Sequence, residues 1–277
     1  MKLCRFQPLV FSVTQVSRSE RDSLPEPRFG LVEAESVREI SGDLFSSWNP
    51  SDRLWPLDQV RLLPPVTPSK IVCIGRNYRE HAAELNNPIP KEPLIFLKPP
   101  SAVIGPDEPI VLPAISNRVD HEGELAVIIG RRCSHLSPDA EVRPFILGFT
   151  CLNDVTARDI QKADVQFTRG KGFDTFCPLG PILETDLDLS TATVSTFVNG
   201  IQCQSAPVSD MIFPVDVMIR WVSRMMTLMP GDVIATGTPA GVGPLAAGDV
   251  VEVIVSGIGT LRNPVICGSD ALGQFLD

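Results

Sequence analysis

Glu122 and Glu124 lead straight into the apolar run Leu125-Ala126-Val127-Ile128-Ile129, and here side-chain chemistry and spacing first coincide in the chain. Side chains two apart on a strand share a face. A strand over 122–129 therefore points both carboxylates the same way, with Gly123 leaving room between them. Aligned carboxylates repel, so such a pair needs a cation, a shared proton or full solvation. On its own the pair fits an exposed edge strand as well as it fits a metal site. A third carboxylate favours the metal. Asp154 closes the apolar stretch 145–152 and is followed by Arg158 and Gln161. Three carboxylates, in a chain with 3 histidines and no CxxC pair, match a hard cation such as Mg²⁺ or Mn²⁺, or Ca²⁺, better than Zn²⁺. Such an ion would keep coordination positions open for a chelating substrate. Asp154→Ala should then abolish activity with little loss of fold, since relief of mutual repulsion offsets part of what is lost.

Three further segments carry polar groups in suggestive contexts. Lys171, between Gly170 and Gly172, could neutralise excess carboxylate charge, hold an anionic substrate, or deliver a proton if its pKa were lowered; it could equally be a surface loop cation. The stretch Gly231 to Gly243 runs from a strand into a glycine-rich turn that is neither a P-loop nor a dinucleotide fingerprint. Its backbone N–H groups and the Thr238 hydroxyl could bind a carboxylate, although a plain tight turn reads as well. His81 and Glu84, three apart on an expected helix, could form a carboxylate-oriented base, and surface helices also carry such pairs by chance.

The elements that must position these groups are mostly strands. Apolar runs are short and β-branched, and proline and glycine are frequent. Strands are expected over 2–6, 29–33, 37–40, 71–74, 94–97, 109–112, 122–129, 145–152, 193–198, 232–236 and 250–255. Two segments read as helical. One is 78–85, with Asn77 as cap and Glu80 completing a capping box. The other is 215–228 behind Pro214, whose apolar residues follow a helical period. Its methionines suit a core, or a subunit contact. The proline cluster at 62–68 is the best linker, dividing a small N-terminal domain, residues 1–66, from a larger one, residues 67–277, that carries the polar groups above.

The formal net charge of -9 argues against nucleic acid or an anionic membrane surface as partner. Seven scattered cysteines point to reduced thiols in a cytosol-like compartment, with no disulfide framework. The N-terminus lacks the features of a signal peptide and no run is long enough to span a membrane. A cytoplasmic protein is expected, or one of the mitochondrial matrix.

Taken in order, Gly75-Arg76-Asn77-Tyr78 with His81 and Glu84, Phe96-Leu97-Lys98-Pro99, His121-Glu122-Gly123-Glu124-Leu125, Asn153-Asp154-Val155-Thr156-Ala157-Arg158-Asp159, Lys171-Gly172-Phe173-Asp174 and Thr236-Gly237-Thr238-Pro239 resemble the motifs of the fumarylacetoacetate hydrolase family over nearly the whole chain. The resemblance implies a mainly β fold with some α, a mixed β-sandwich roll carrying a small N-terminal domain, and a homodimer. It implies Glu122, Glu124 and Asp154 as metal ligands, and His81, Glu84 and Lys171 as catalytic groups with the dyad on a mobile lid. Arg76, Tyr78, Arg158, Gln161 and Thr238 would bind a small 2-oxo acid. The scaffold hosts acylpyruvate and fumarylpyruvate hydrolases, oxaloacetate decarboxylases and tautomerases, and isomerases of 2-hydroxy-dienedioates, which share a metal-stabilised enolate. Retention of His81 and Glu84 favours a hydrolase or decarboxylase. From a different class, a metal-ion nuclease is opposed by the acidic charge. A non-catalytic metal-binding protein would not need the lysine, the dyad and the turn as well.

Overall fold

The computed structural model describes residues 1–9 and 25–268. Within these, alternation along one central strand organises the core. In Gly123–Ile129, Leu125, Val127 and Ile129 face one apolar cluster while Ala126 and Ile128 face another, all fully buried. This is the period-2 signature of a strand covered on both faces. The first cluster is completed by Val194, Val253 and Leu261 from a second sheet and by Met218, Ile219 and Val222 from a helix. The second includes Cys73, Leu152, Leu179 and Ala235 from the central strand's own sheet.

The main sheet is mixed. Its strands run in the order Trp48–Pro56, Ser36–Gly42, Arg28–Glu33, Lys2–Pro8, Cys177–Glu184, Ile146–Asn153, Gly123–Ile129, Val233–Ala235, Ile71–Gly75 and Leu94–Lys98. All these neighbours are antiparallel except Val233–Ala235 with Ile71–Gly75. The five-stranded second sheet runs Ile201–Pro207, Thr193–Val198, Val250–Val255, Gly259–Cys267 and Ile110–Leu112. A three-stranded ribbon joins Thr156–Ala157, Val119–His121 and Gly243–Pro244. Sheets packed face to face, with few helices, form the mixed β-sandwich roll expected. Strand Lys2–Pro8 pairs directly with Cys177–Glu184, so the N-terminal strands extend the main sheet.

Four α-helices occur among the described residues: α1 Arg79–Glu84, α2 Arg158–Ala163, α3 Thr168–Lys171 and α4 Val215–Met225. Sequence reading recovers α1 and α4 but misses α2 and α3, because four to six residues hold too little of a 3.6-residue period to register. The Asn77 cap is overturned. The first turn of α1 receives no side-chain cap, since the Asn77 amide donates to the carbonyls of Thr236 (2.8 Å) and Phe213 (3.0 Å) and its oxygen accepts from the Phe213 N–H (2.8 Å). Three tertiary bonds outweigh one local cap. Strand Cys177–Glu184 is also missed. Its Pro178, Gly180 and Pro181 read as a turn, yet pairing on both sides holds it extended. In the methionine-rich stretch, Met211 and Met218 enter the core while Met225 and Met229 stay exposed.

Candidate metal centre and active site

Strand register creates the carboxylate cluster. Gly123 lies opposite Asn153 and Glu124 opposite Leu152, and the Asp154 N–H donates to the Glu122 carbonyl at 2.8 Å. Glu122 and Asp154 are therefore neighbours across the strand pair. Leu152 shares its face with Ala126 and Ile128, so Asp154, two residues further, falls on the face of Glu122 and Glu124. One ligand atom from each of the three lies within 4.8 Å of the others, and all three side chains are buried.

Buried cations surround the cluster. Lys171 Nζ lies 2.7 Å from Glu122 Oε2 and 2.6 Å from Asp154 Oδ2. Lys98 Nζ donates to Asp154 Oδ1 at 2.6 Å and to the Val155 carbonyl at 3.0 Å. Arg158 forks between Asp120 and Glu122 and donates its remaining guanidinium nitrogen to Gln161 at 2.8 Å. Four buried carboxylates (Asp120, Glu122, Glu124 and Asp154) thus face three buried cations (Lys98, Arg158 and Lys171). Adding a divalent ion turns the excess negative charge positive, a field suited to an anionic substrate.

The carboxyl groups respond unequally. Burial raises Glu124 well above the usual carboxylate range, and Asp154 and Glu122 push it further. Burial would raise Glu122 too, but Lys171 and Arg158 overcome it and hold that carboxyl well below its usual value. For Lys171 burial works downward, and Asp154 with Glu122 more than reverses it, so the ammonium is raised. That direction is opposite to the lowered lysine entertained from sequence, and burial of Lys171 removes the surface-loop reading.

The donor set fits a hard divalent cation: three carboxylates, no histidine among them, and Glu124 Oε1 left without a partner among the described residues, while Oε2 accepts from the Gly237 N–H at 2.7 Å. Cys73 and Cys177 are close enough for Asp154 to act on their titration, but burial raises both thiols, Cys177 to about 12. They remain protonated and are poor ligands.

A cleft of about 500 Å³ opens onto the cluster, lined by Arg76, His81, Glu84, Arg158, Gln161, Lys171 and Thr238 together with the three acids. His81 is buried in its wall, with Nδ1 3.1 Å from Glu84 Oε2, and Glu84 Oε1 accepts from the Gly241 N–H at 3.0 Å. Glycine at 170 lets α3 press on α2, since a Cβ there would stand 2.9 Å from the Gln161 nitrogen, and this contact carries Lys171 to the acids. Tyr78, expected at the site, does not line this cleft. Its ring packs in the core beside Met211, and it borders a neighbouring cavity with Arg79, Glu80 and Ser209 instead. Lys98 and Asp120 were missed. The Phe-Leu-Lys-Pro motif held Lys98 in plain view, but nothing in its spacing ties it to Asp154, 56 residues on.

Fold and site together define a family. Residues 70–266 match the family model Fumarylacetoacetate (FAA) hydrolase C-terminal, and residues 23–65 match Rv2993c-like, N-terminal. The chain belongs to the fumarylacetoacetate hydrolase family. It is 50% identical over 234 residues to Protein Rv2993c of Mycobacterium tuberculosis, covering 83% of this chain and 88% of the relative. It is 43% identical over 220 residues to the mitochondrial oxaloacetate tautomerase fahd2 of Xenopus laevis, covering 75% and 69%. Among solved structures, 5-carboxymethyl-2-hydroxymuconate delta-isomerase from Mycobacterium smegmatis superposes with a TM-score of 0.85 at 44% identity, covering 97% of this chain and 100% of that one. Maleylpyruvate hydrolase from Sphingobium sp. SYK-6, solved with manganese(II) and pyruvate, gives 0.76 at 30% identity, with 97% and 100% covered. The relatives so named are enzymes: isomerase, tautomerase and hydrolase. No helix among the described residues is long and apolar enough to cross a membrane.

Proposed function

We propose that this chain is a metal-dependent hydrolase that cleaves a C–C bond in a small 2,4-dioxo acid of the acylpyruvate or fumarylpyruvate type. The observation that carries this reading is the His81–Glu84 pair in the wall of the cleft that holds the carboxylate cluster. Glu122, Glu124 and Asp154 would hold Mg²⁺ or Mn²⁺, with Ca²⁺ a weaker fit, and the ion supplies Lewis-acid polarisation of the 2-oxo acid. The manganese and pyruvate of the maleylpyruvate hydrolase structure support both the ion class and the ligand class.

His81, with Nδ1 engaged by Glu84, has Nε2 left to take a proton from water. The hydroxide formed adds to the carbonyl distal to the carboxylate, and the bond between that carbon and the pyruvyl CH₂ breaks. The bond's electron pair stays on the pyruvyl fragment, where a proton completes a methyl group. Lys171 and Arg76 face the charge that develops on this fragment. Thr238 lies at the cleft for the substrate carboxylate.

A second reading, tautomerisation or isomerisation of a 2-oxo dicarboxylic acid, draws on the relatives: those reported above that are named for proton shifts are more similar to this chain than the maleylpyruvate hydrolase is. Oxaloacetate decarboxylation would use the same cleft. A homodimer is supported by Met225, at the end of α4, and Met229 beyond it, which stay exposed, and light scattering under dilution tests it.

The deciding experiment follows C–C cleavage and enol–keto exchange of acylpyruvates, oxaloacetate and dienedioates by the Mg²⁺ and Mn²⁺ forms. His81→Ala is expected to lower cleavage by about 10²–10⁴-fold and exchange far less, whereas Lys171→Ala impairs both. Fast exchange without cleavage in the wild type would replace hydrolysis by the second reading. Metal binding without any turnover would leave a binding protein.

A further inference from the structure

Gln204 is the residue on which two parts of the cleft converge. It lies on strand Ile201–Pro207 of the second sheet, beside the register shift between Thr196 and Phe197, and is 1% exposed. Its Oε1 accepts from the Gly123 N–H at 3.0 Å and lies 3.3 Å from His121 Nδ1. Its Nε2 donates to Thr238 Oγ1 and to the Pro239 carbonyl, both at 2.7 Å. A carboxamide has two protons to give and two lone pairs to receive, and all four positions are used.

The orientation of this amide is forced. The Gly123 N–H can only donate and the Pro239 carbonyl can only accept, so oxygen and nitrogen cannot be exchanged. Two proton positions follow. His121 carries its proton on Nδ1. Thr238 Oγ1 accepts from Gln204, and its single proton goes to the Gly123 carbonyl 2.9 Å away. The Thr238 hydroxyl therefore has no proton left for a substrate, and the donor the turn can offer a carboxylate is the Thr238 backbone N–H, which has no acceptor among the described residues. Three residues on, the same turn gives the Gly241 N–H to Glu84.

We propose that Gln204 is a positioning residue. Anchored to the second sheet, it sets the turn 238–241 so that one end presents the Thr238 N–H to an anionic substrate and the other holds Glu84 against His81. The proposal rests on the reading of the cleft as a site for a 2-oxo acid, and it explains why a side chain from the opposite sheet is inserted between His121 and Thr238.

Gln204→Glu tests it. The variant keeps both acceptor contacts and sets a carboxylate oxygen against Thr238 Oγ1 and the Pro239 carbonyl in place of the donor. Amide exchange at Gly241 is expected to accelerate about tenfold while the Val265 amide, which donates to the Asp249 carbonyl near the opposite edge of the second sheet, is unchanged. Oxalate, an unreactive 1,2-dicarbonyl acid, should bind the Mn²⁺-loaded variant about 10–10²-fold more weakly, with KM raised and kcat lowered together. Mn²⁺ affinity should be kept. If the buried charge of Q204E prevents folding, Gln204→Met, of similar volume, carries the same expectations. In the wild type, ¹⁵N shifts should report the Nδ1–H tautomer of His121; the Nε2–H tautomer would overturn the proton assignment. A folded variant with unchanged Gly241 exchange and unchanged oxalate affinity overturns the proposal. If the wild type binds no oxalate, the reading of the cleft fails, while Gly241 exchange in the variant still decides whether Gln204 positions the turn.

Discussion

Lys98 Nζ lies 2.6 Å from Asp154 Oδ1 with both side chains sealed from solvent. Lys171 takes the other oxygen at the same distance, so one aspartate pairs with two buried ammonium groups, and Lys98 has no other carboxylate partner among the described residues. This argues against the expectation that Asp154→Ala would cause little loss of fold. Breaking a buried pair by removing one partner leaves an unpaired charge and costs about 3–5 kcal/mol.

Asp154→Ala is therefore expected to lower stability by that order and to abolish metal binding. Lys98→Met should destabilise less, because Asp154 keeps Lys171. Denaturant unfolding with and without Mn²⁺ checks both. Wild-type stability in Asp154→Ala would show that the lysines relax to solvent.

Gly123 is required by a close approach between the sheets. A Cβ there would stand 2.0 Å from Thr196 Oγ1 and 3.3 Å from Val253 Cγ1. Gly123→Ala should cost about 1–3 kcal/mol, as overpacking does, and weaken Mn²⁺ binding by displacing the flanking glutamates. The Thr196 hydroxyl is buried without a partner. Thr196→Ala should thus be tolerated alone and should recover much of the loss in the double variant. A double variant no better than Gly123→Ala would locate the strain elsewhere.

The two glutamates predict opposite pH dependences for the metal-free protein. Glu124, raised chiefly by burial, contributes stability that is fully present below the unfolded carboxylate value of about 4.3 and is lost as pH rises through its folded value. Glu122, depressed by Lys171 and Arg158 against the effect of burial, contributes stability that is present above that value and is lost as pH falls through its lower folded one. A bound cation displaces the Glu124 proton. Apparent Mn²⁺ affinity should then rise with pH, by up to about tenfold per unit, until pH passes the raised Glu124 value. Calorimetry in buffers of different ionisation heat should count one proton released per ion; zero would remove Glu124 from the ligand set.

Thiol labelling should divide the cysteines cleanly. Cys4, Cys73, Cys133, Cys151 and Cys177 are buried, while Cys203 and Cys267 are exposed. Burial raises Cys4, Cys151 and Cys177 to about 12, so these thiols lack both access and thiolate. Ellman's reagent should find two reactive thiols in the native protein and all seven after denaturation. Fast labelling of a third would reveal local opening of the core.

The sequence by itself determined those features whose cause is local. Alternation placed Glu122 and Glu124 on one face, the spacing of His81 and Glu84 made their contact available, and β-branched runs marked most of the strands that build the two sheets. Only the tertiary structure decided what depends on which strands meet. The register of Gly123–Ile129 against Ile146–Asn153 put Asp154 beside Glu122. The same assembly drew Lys98 onto Asp154, took Asn77 away from its helix cap, turned Tyr78 into the core and brought Gln204 across from the other sheet. These side chains are polar or charged, and a polar residue's spacing along the chain carries no record of its partner. That partner is set by the demand that every buried donor, acceptor and charge be satisfied once the sheets have closed, a condition that exists only in the folded molecule.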